Sequence, residues 1–219
     1  MNSLTLRLHR RRAFTLVELL VVVAIVALLA GTVGLNLRSL GENTALQAAQ
    51  ATVASLCSAA RGRAALTGRN ARLLLAADPA DIECHLRYLQ IVHEDPAGSD
   101  RWLAEGSGVY LPRGVYVVPP AGAAVPGNPG WPASRRSTAL SATPERMAIN
   151  GVAAGACHYV QFSPRGTTTG GNLLLGSGHA ITGTAGTVLV LENADNVRGV
   201  LLRPSGALTL INDARAFPP

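Results

Sequence analysis

The sequence contains no lysine, so all 19 of its basic residues are arginines. It also has no Gly-x-Ser-x-Gly elbow and no paired metal-ligand motif, patterns that mark a nucleophile or a catalytic metal in many hydrolases. Arginine itself is absent between Arg12 and Arg38, and Glu18 is the one acid in that stretch. We therefore expect no enzyme, no cofactor and no metal site, and the long uncharged stretch becomes the main feature to explain.

This stretch begins directly after a cluster of arginines, Arg10 to Arg12. Residues 14–35 form an apolar run of 22 residues, which as an α-helix would extend roughly 33 Å and span a bilayer. Basic residues stay on the cytoplasmic side, so the N-terminus is expected in the cytoplasm and the rest is expected to be exported across the inner membrane. A charge in hydrocarbon is costly, which makes Glu18 a functional candidate.

The residues around Glu18 resemble the signature of type IV prepilins. The run from Phe14 to Leu19, Phe-Thr-Leu-Val-Glu-Leu, matches the family pattern of Phe, then Thr-Leu-x-Glu and an apolar helix. The resemblance implies that prepilin peptidase cuts between Ala13 and Phe14, removes residues 1–13 and methylates the new amine of Phe14. It also implies that Glu18 pairs with the N-terminal amine of a neighbouring subunit. The family usually has Gly before the cut; Ala13 is the next-smallest residue, so we expect slower or still adequate processing.

Three other targeting signals compete for the same segment. A plain signal peptide cut after Ala30 would have Leu28 at the third position back, which is unfavourable, and Glu18 would interrupt its apolar core. A twin-arginine signal is suggested by Arg11 and Arg12 but lacks a later cleavage site. A simple transmembrane anchor explains the length and leaves Glu18 unexplained. The sequence favours the prepilin interpretation over these alternatives.

Removal of the leader would change the apparent charge of the chain. The full sequence has a formal net charge of +6, and residues 1–13 hold four of the arginines and no acid. The remaining 206 residues carry 15 arginines against 13 acids, a balance of +2. The basic composition is therefore mostly a topology signal, and it gives little indication of a nucleic-acid partner.

The segment after the apolar run is predicted to continue as helix. Residues 42–66 contain no proline and are rich in good helix formers. We predict one helix over 14–67, apolar all round in 14–35, amphipathic in 36–67 and ended by Gly68. Its apolar stripe recurs every three or four residues: Leu46, Ala49, Val53, Leu56, Ala60 and Ala64.

Residues 68–219 change to short apolar or alternating runs separated by Gly, Pro, Asn and Asp, the pattern of antiparallel sheets. A helix followed by a series of strands predicts an α+β fold, with the amphipathic half of the helix packed on the sheet. This is the general plan of pilins and pseudopilins. The predicted strands cover 71–77, 86–93, 115–118, 159–162, 173–175, 187–191, 200–202 and 208–211.

The segment from Phe162 to Gly171, the strand after it and the hairpin from Val200 to Leu210 resemble the carboxyl half of the GspH/FimT family. In that family, H-type pseudopilins sit near the tip of the type II secretion pseudopilus. FimT-like minor pilins belong to type IV pili, and some take up DNA through a Gly-Arg-x-Arg stretch. Residues 206–209 read Gly-Ala-Leu-Thr and lack both arginines.

The resemblance therefore implies a structural minor pseudopilin that takes part in filament assembly and protein export. Its partners would be other pseudopilins or pilins, the prepilin peptidase/N-methyltransferase, and secreted proteins; DNA is disfavoured. A minor type IV pilin for pilus biogenesis or DNA uptake is the alternative. An unrelated pilin-like β-domain also stays open, and a membrane-anchored periplasmic enzyme is less favoured.

Three cysteines, Cys57, Cys84 and Cys157, lie on the side predicted to be exported, where disulfides form and persist. Their number allows one disulfide and one free thiol, and sequence does not fix the pairing. Cys57 lies beside the apolar stripe of the helix, so we expect the disulfide to join Cys84 and Cys157. A histidine follows each of these two cysteines, but neighbouring strand residues face opposite ways, which argues against a shared zinc ion.

Residues 119–136 contain five prolines and three glycines, so they are predicted to form neither a helix nor a central strand. A loop of this length is usually functional or disordered. Two interpretations of Trp131 remain open: an exposed contact for another subunit or a secreted protein, or a side chain folded back onto the domain.

Overall fold

A computed structural model describes residues 16–123, 125, 128–183 and 186–216. The chain divides into two compact units, Met1–Gly41 and Glu42–Pro219. The helix α1 (Leu16–Thr67) contributes its first part to one unit and its second part to the other. Its predicted end at Thr67 is confirmed: Gly68 follows in the left-handed region, with φ of +65°, as glycine commonly does after a helix. Among the described residues, no helix meets the length and apolarity that crossing a membrane requires.

The part of α1 from Glu42 onward carries the predicted apolar stripe. Five of its six members are buried, Leu56 is half-buried, and Cys57 beside it is fully buried. Four of these seven side chains are alanine or cysteine, so the helix lies close against the strands below it. Near the helix end, Arg63 Nη2 lies 2.9 Å from Glu105 Oε2 in the loop after a strand.

The strands follow α1 and confirm the α+β prediction of a helix before a β-rich domain. Two short 3-10 helices, Ala133–Arg135 and Ala214–Ala216, interrupt the loops. The described residues form eleven strands: β1 (Ala71–Ala76), β2 (Tyr88–Glu94), β3 (Trp102–Ala104), β4 (Val109–Tyr110), β5 (Val115–Val117), β6 (Glu145–Ile149), β7 (Val152–Phe162), β8 (Gly171–Gly183), β9 (Gly186–Leu191), β10 (Val197–Leu202) and β11 (Leu208–Ile211).

The first sheet closes into a ring of five strands. β1 pairs with both β2 and β7, β7 pairs with β6, β6 pairs in parallel with β3, and β3 pairs with β2; β4 extends β2 outside the ring. Because side chains alternate along a strand, the ring has two distinct faces. Leu73 and Leu75 of β1 join the core beneath α1, which we call the helix-side core. Leu74 faces the other way, into a second cluster with Val92, Trp102 and Cys157.

Arg72 lies on the same face as the second cluster and is held between two aromatic rings. Its guanidinium carbon is 4.1 Å from the ring centroid of Trp102 and 4.0 Å from that of Tyr159. Its Nε donates to Gln161 Oε1 at 2.8 Å, and its Nη1 lies 3.6 Å from Glu145 Oε2. These contacts keep a largely buried cation paired and stacked, so it links β1, β3, β6 and β7.

The second sheet has the order β11-β10-β8-β5, with β9 attached to β8. The buried side chain of Gln50 in α1 fastens the helix to this sheet. Gln50 Nε2 donates to the Gly199 carbonyl oxygen at 2.7 Å and to the Ile211 carbonyl oxygen at 2.9 Å. The predicted hairpin of the last two strands is confirmed, with Val200 opposite Leu210.

Several strand predictions differ from the structure. The strand predicted from Leu86 begins at Tyr88, because residues 84–88 form a turn in which Leu86 has φ of +56°. The strands β7 and β8 run to 11 and 13 residues, much longer than predicted. β3, β4 and β6 are absent from the predicted strands. β3 and β4 have only three and two residues, whereas β6 pairs with the next strand, β7, across Asn150 and Gly151, a hairpin signal that the prediction does not include.

The proline-rich segment 119–136 lies against the domain in its described parts. Trp131 is buried, and its Nε1 donates to the Arg135 carbonyl oxygen at 2.6 Å. Asn128 Nδ2 reaches the Leu191 carbonyl oxygen at 3.3 Å, so the segment covers part of the second sheet. The interpretation of Trp131 as an exposed contact is therefore wrong, and the side chain is part of the helix-side core.

Candidate functional site

The predicted processing and assembly residues lie at the start of the chain. Ala13 and Phe14 fall outside the described residues. Glu18 lies in the first turn of α1 and is exposed, as are the side chains around it, with Leu16 80% and Leu19 62% exposed. Between residues 16 and 28, Glu18 is the only charged residue on a helix that is otherwise apolar on every side.

The apolar side chains around Glu18 determine which kind of partner its carboxylate can have. An apolar helix with no polar face is covered by other apolar groups, either lipid or neighbouring helices. A carboxylate carried into such surroundings requires a cationic partner, because an unpaired charge there is expensive. A free α-amine is ordinarily protonated near neutral pH. Glu18 thus has the charge to pair with such an amine, as the resemblance implies.

The three cysteines are free thiols in the structure, so the disulfide expected between Cys84 and Cys157 is not formed there. Cys84 and Cys157 nevertheless line one cavity of about 220 Å³. Cys84 Sγ is 3.4 Å from Tyr110 Oη, and Cys157 Sγ is 3.4 Å from the Gly155 carbonyl oxygen. Cys57 lies apart from both, in the helix-side core.

The histidines that follow these cysteines, His85 and His158, are buried. Burial lowers the pKa of both histidines. The negative charge of Asp78 partly opposes this lowering for His85, and the hydrogen bond with the Ser141 carbonyl oxygen partly opposes it for His158. The described residues include no cluster of three or more His, Cys, Asp or Glu side chains arranged to hold a metal ion. The thiols of the two Cys-His pairs thus line one cavity, whereas the two neutral imidazoles do not line it.

A junction of two turns brings together arginines that are distant in sequence. Gly166 and Gly206 both have positive φ, and a Cβ on Gly206 would lie 2.1 Å from the Gly166 carbonyl oxygen. The side chain of Arg61 packs against both glycines. Arg165 and Arg203 occupy the same two turns and are exposed. No sequence pattern predicts this group, because Arg61 lies in a helix and the other two arginines lie in turns distant from it in the sequence.

Two histidine–carboxylate pairs occur among the described residues: His93 Nδ1 lies 3.5 Å from Glu105 Oε2, and the closer pair lies at the base of the β8–β9 hairpin. His179 Nδ1 lies 2.6 Å from Glu192 Oε1, and both side chains are well exposed. Residues 176–179, Gly-Ser-Gly-His, belong to β8 although their composition is typical of a turn. Among the hydrogen bonds of the described residues, no hydroxyl or thiol meets the other nitrogen of His179, so these residues supply no nucleophile–base–orienter arrangement.

The comparisons with known proteins agree with the N-terminal prediction. Residues 8–34 match a family model described as the prokaryotic N-terminal methylation motif. No curated protein matches the chain. A crystal structure of the type IV minor pilin FimU of Pseudomonas aeruginosa (strain PAO1) matches with 13% identity and a TM-score of 0.41, over 79% of this chain and 92% of that one. A likeness at this level carries no argument about function.

The motif implies processing by prepilin peptidase and assembly with other pilins, which is typical of a structural protein. The resemblance to the GspH/FimT family stays a prediction. The chain therefore carries the prokaryotic N-terminal methylation motif ahead of a long helix and a β-rich domain.

Proposed function

We propose that this chain is a structural, non-catalytic minor pseudopilin of a type II secretion pseudopilus. The observation that carries the proposal is the methylation motif over residues 8–34, continued by α1 into a β-rich domain. In the proposed sequence of events, prepilin peptidase cuts between Ala13 and Phe14 and methylates Phe14. Residues 14–35 then hold the subunit in the inner membrane, with the N-terminus in the cytoplasm and the β-domain in the periplasm.

Glu18 supplies the assembly step in this proposal. Its carboxylate pairs with the methylated N-terminal amine of a neighbouring subunit as the apolar helices come together. The Gly, Ala and β-branched residues of 14–35 favour close packing of such helices. The ion pair forms only when the carboxylate and the amine are at matching heights along the packed helices, so it couples recruitment to correct register.

The proposal favours type II secretion because residues 206–209 lack the two arginines that some FimT-like minor pilins use for DNA. One observation supports the alternative of a minor type IV pilin that takes up DNA. Arg61 packs against Gly166 and Gly206, and the exposed Arg165 and Arg203 lie in the two turns that contain these glycines. Three cations on neighbouring segments are a feature that phosphate binding can use.

A gene deletion in the native host separates these candidates. Secretion through the type II system, pilus-dependent motility and DNA uptake are measured in the deletion strain and after complementation with the wild-type gene. Loss of secretion with normal piliation supports the pseudopilin. Loss of piliation with normal secretion supports the minor pilin and contradicts the first proposal.

The DNA-uptake role is tested in the same strain. Complementation with a chain in which Arg61, Arg165 and Arg203 are all changed to Ala removes the cationic group. The matched control changes Arg113, Arg135 and Arg146 to Ala, three arginines outside the junction. Loss of DNA uptake with the first variant alone supports that role, whereas equal uptake by both variants removes its basis.

A further inference from the structure

Cys84 and Cys157 share a cavity although 73 positions separate them in the sequence. The cavity, about 220 Å³ in volume, lies at the ring of the first sheet, on the face that carries the second cluster. Leu74, Ala76 and Ile149 form part of its apolar lining. Two thiols therefore face one small space that no other described cysteine reaches.

The two segments that carry these cysteines both contact the same residue of β1, Ala76. Cys157 is the cross-strand partner of Ala76 in the β1–β7 register. On the other side, the amide of Leu86, two positions after Cys84, donates to the Ala76 carbonyl oxygen at 2.8 Å. The amide of Cys84 itself donates to the Asp81 carbonyl oxygen at 3.1 Å, which fixes the turn that carries it. Cys84 and Cys157 thus approach the cavity from two segments that meet at Ala76.

The third cysteine is excluded from this pairing by its position. Cys57 is fully buried in the helix-side core, on the opposite face of β1 and β7 from the second cluster to which Cys157 belongs. Burial raises the pKa of all three thiols, to about 12 for Cys57, so the positions of the cysteines are what separate Cys57 from the other two. Of the three pairings that the sequence allows, only one places both thiols in a common cavity.

We propose that Cys84 and Cys157 close a disulfide across this cavity when the domain meets a low-molecular-weight disulfide such as oxidised glutathione. Cys84, the more exposed thiol, loses its proton and attacks one sulfur of the glutathione disulfide, releasing one glutathione thiolate. The thiolate of Cys157 then attacks Cys84 Sγ and releases the second glutathione. The protein gives up two protons and two electrons, and the glutathione disulfide takes them up to become two glutathione thiols.

Closure exchanges two existing contacts for one covalent bond. Cys84 Sγ leaves Tyr110 Oη, and Cys157 Sγ leaves the Gly155 carbonyl oxygen. The turn between β1 and β2 moves toward β7, into space that the cavity provides. The new link joins two segments far apart in the chain, so it restricts the unfolded state strongly. The inference rests on the proposed function in one respect, namely that export brings the domain to an oxidising compartment.

The test uses the full chain in detergent, incubated with oxidised glutathione, then denatured and treated with N-ethylmaleimide. Intact mass and peptide mapping should show one alkylated cysteine, Cys57, and a disulfide-linked pair of peptides containing Cys84 and Cys157. The thermal midpoint of unfolding should rise by roughly 5–15 °C relative to the reduced chain.

Two variants keep this test falsifiable. Cys57→Ala should retain the link, whereas Cys157→Ala should keep a glutathione adduct on Cys84, because the resolving thiol is gone. Three alkylated cysteines, a link that includes Cys57, or a lasting adduct on Cys84 in the wild-type chain would each overturn the proposal. N-terminal processing is read from the same mass spectrum, so failure of the disulfide is distinguished from failure of the prepilin proposal.

Discussion

Gln50 of α1 and Ile211 of β11 lie 161 positions apart and are joined by a hydrogen bond of 2.9 Å from Gln50 Nε2 to the Ile211 carbonyl oxygen. The same amide nitrogen donates to Gly199 on the neighbouring strand β10. One buried side chain therefore holds the helix and the last hairpin of the domain together. An amide serves here because the backbone carbonyls at this point require a donor that an apolar side chain lacks.

Replacement of Gln50 by Leu should lower the free energy of unfolding by roughly 1–3 kcal/mol, because two buried carbonyl contacts lose their donor at nearly constant volume. Urea unfolding of the detergent-solubilised chain, followed by fluorescence of the buried Trp102 and Trp131, measures this change. Gln47→Leu is the matched control, since Gln47 is exposed on the same helix. Equal effects of the two variants would show that the hydrogen bonds contribute nothing.

Substitution by Ala should lower the free energy of unfolding by different amounts at two glycines with the same backbone conformation, because only one of them lies at the junction of the two turns. Gly206 and Gly98 both have φ of +76°, but a Cβ on Gly206 would collide with the Gly166 carbonyl oxygen, whereas one on Gly98 would meet nothing within 4 Å. Gly98→Ala should cost about 1–2 kcal/mol from backbone strain alone. Gly206→Ala should cost roughly 1–3 kcal/mol more. The same urea unfolding measures both, and similar values would contradict the close contact.

The buried histidines predict that stability falls in acid. Because burial lowers the pKa of His85 and His158 below that of the unfolded chain, the unfolded state binds more protons. The contribution of these two neutral imidazoles to stability is fully present above the unfolded pKa of about 6.5, and it is lost as pH falls toward their lower pKa values in the folded chain. Asp78 near His85 and the Ser141 carbonyl near His158 moderate the effect without reversing it.

Thermal unfolding midpoints measured from about pH 7.5 to 5 test this sign. The wild-type midpoint should drop over that interval, and the double variant His85→Gln, His158→Gln should drop less. Gln47→Leu, which removes no titratable group from an exposed helix position, is the control and should keep the wild-type slope. A wild-type midpoint that rises in acid would contradict the assignment.

Local signals account for what could be predicted from the sequence. The end of α1 was predicted correctly because Gly68 provides the conformation that stops a helix, and β11 was predicted at 208–211 because the turn before it is encoded locally. The burial of Trp131 was not predictable, since it depends on contact with strand β8 some 45 positions later, at Gly176. The strands β3 and β4 are too short, at three and two residues, to give a pattern of their own. The strand β6 does have a local signal, the Asn150-Gly151 turn that joins it to β7, and the prediction does not use it.

Removal of the single carboxylate in the apolar part of α1 should impair assembly and spare the domain. We expect Glu18→Ala to reduce incorporation into filaments by roughly tenfold or more, a factor that about 1.4 kcal/mol of lost coupling produces. The measurement is immunodetection of the subunit in sheared filament fractions, with total cell protein as reference. Glu83→Ala, at an exposed site in the β-domain, is the control. Normal incorporation of Glu18→Ala would count directly against the role proposed for Glu18.

The central claim is that the chain is processed as a prepilin at a site where Ala13 stands in place of the usual Gly. Intact mass and N-terminal sequence of the protein isolated from its native membrane test this claim most directly. We expect a chain that begins at Phe14, with a methyl group on its amine. An uncut chain, or one that begins beyond Ala30, would contradict it and remove the role proposed for Glu18.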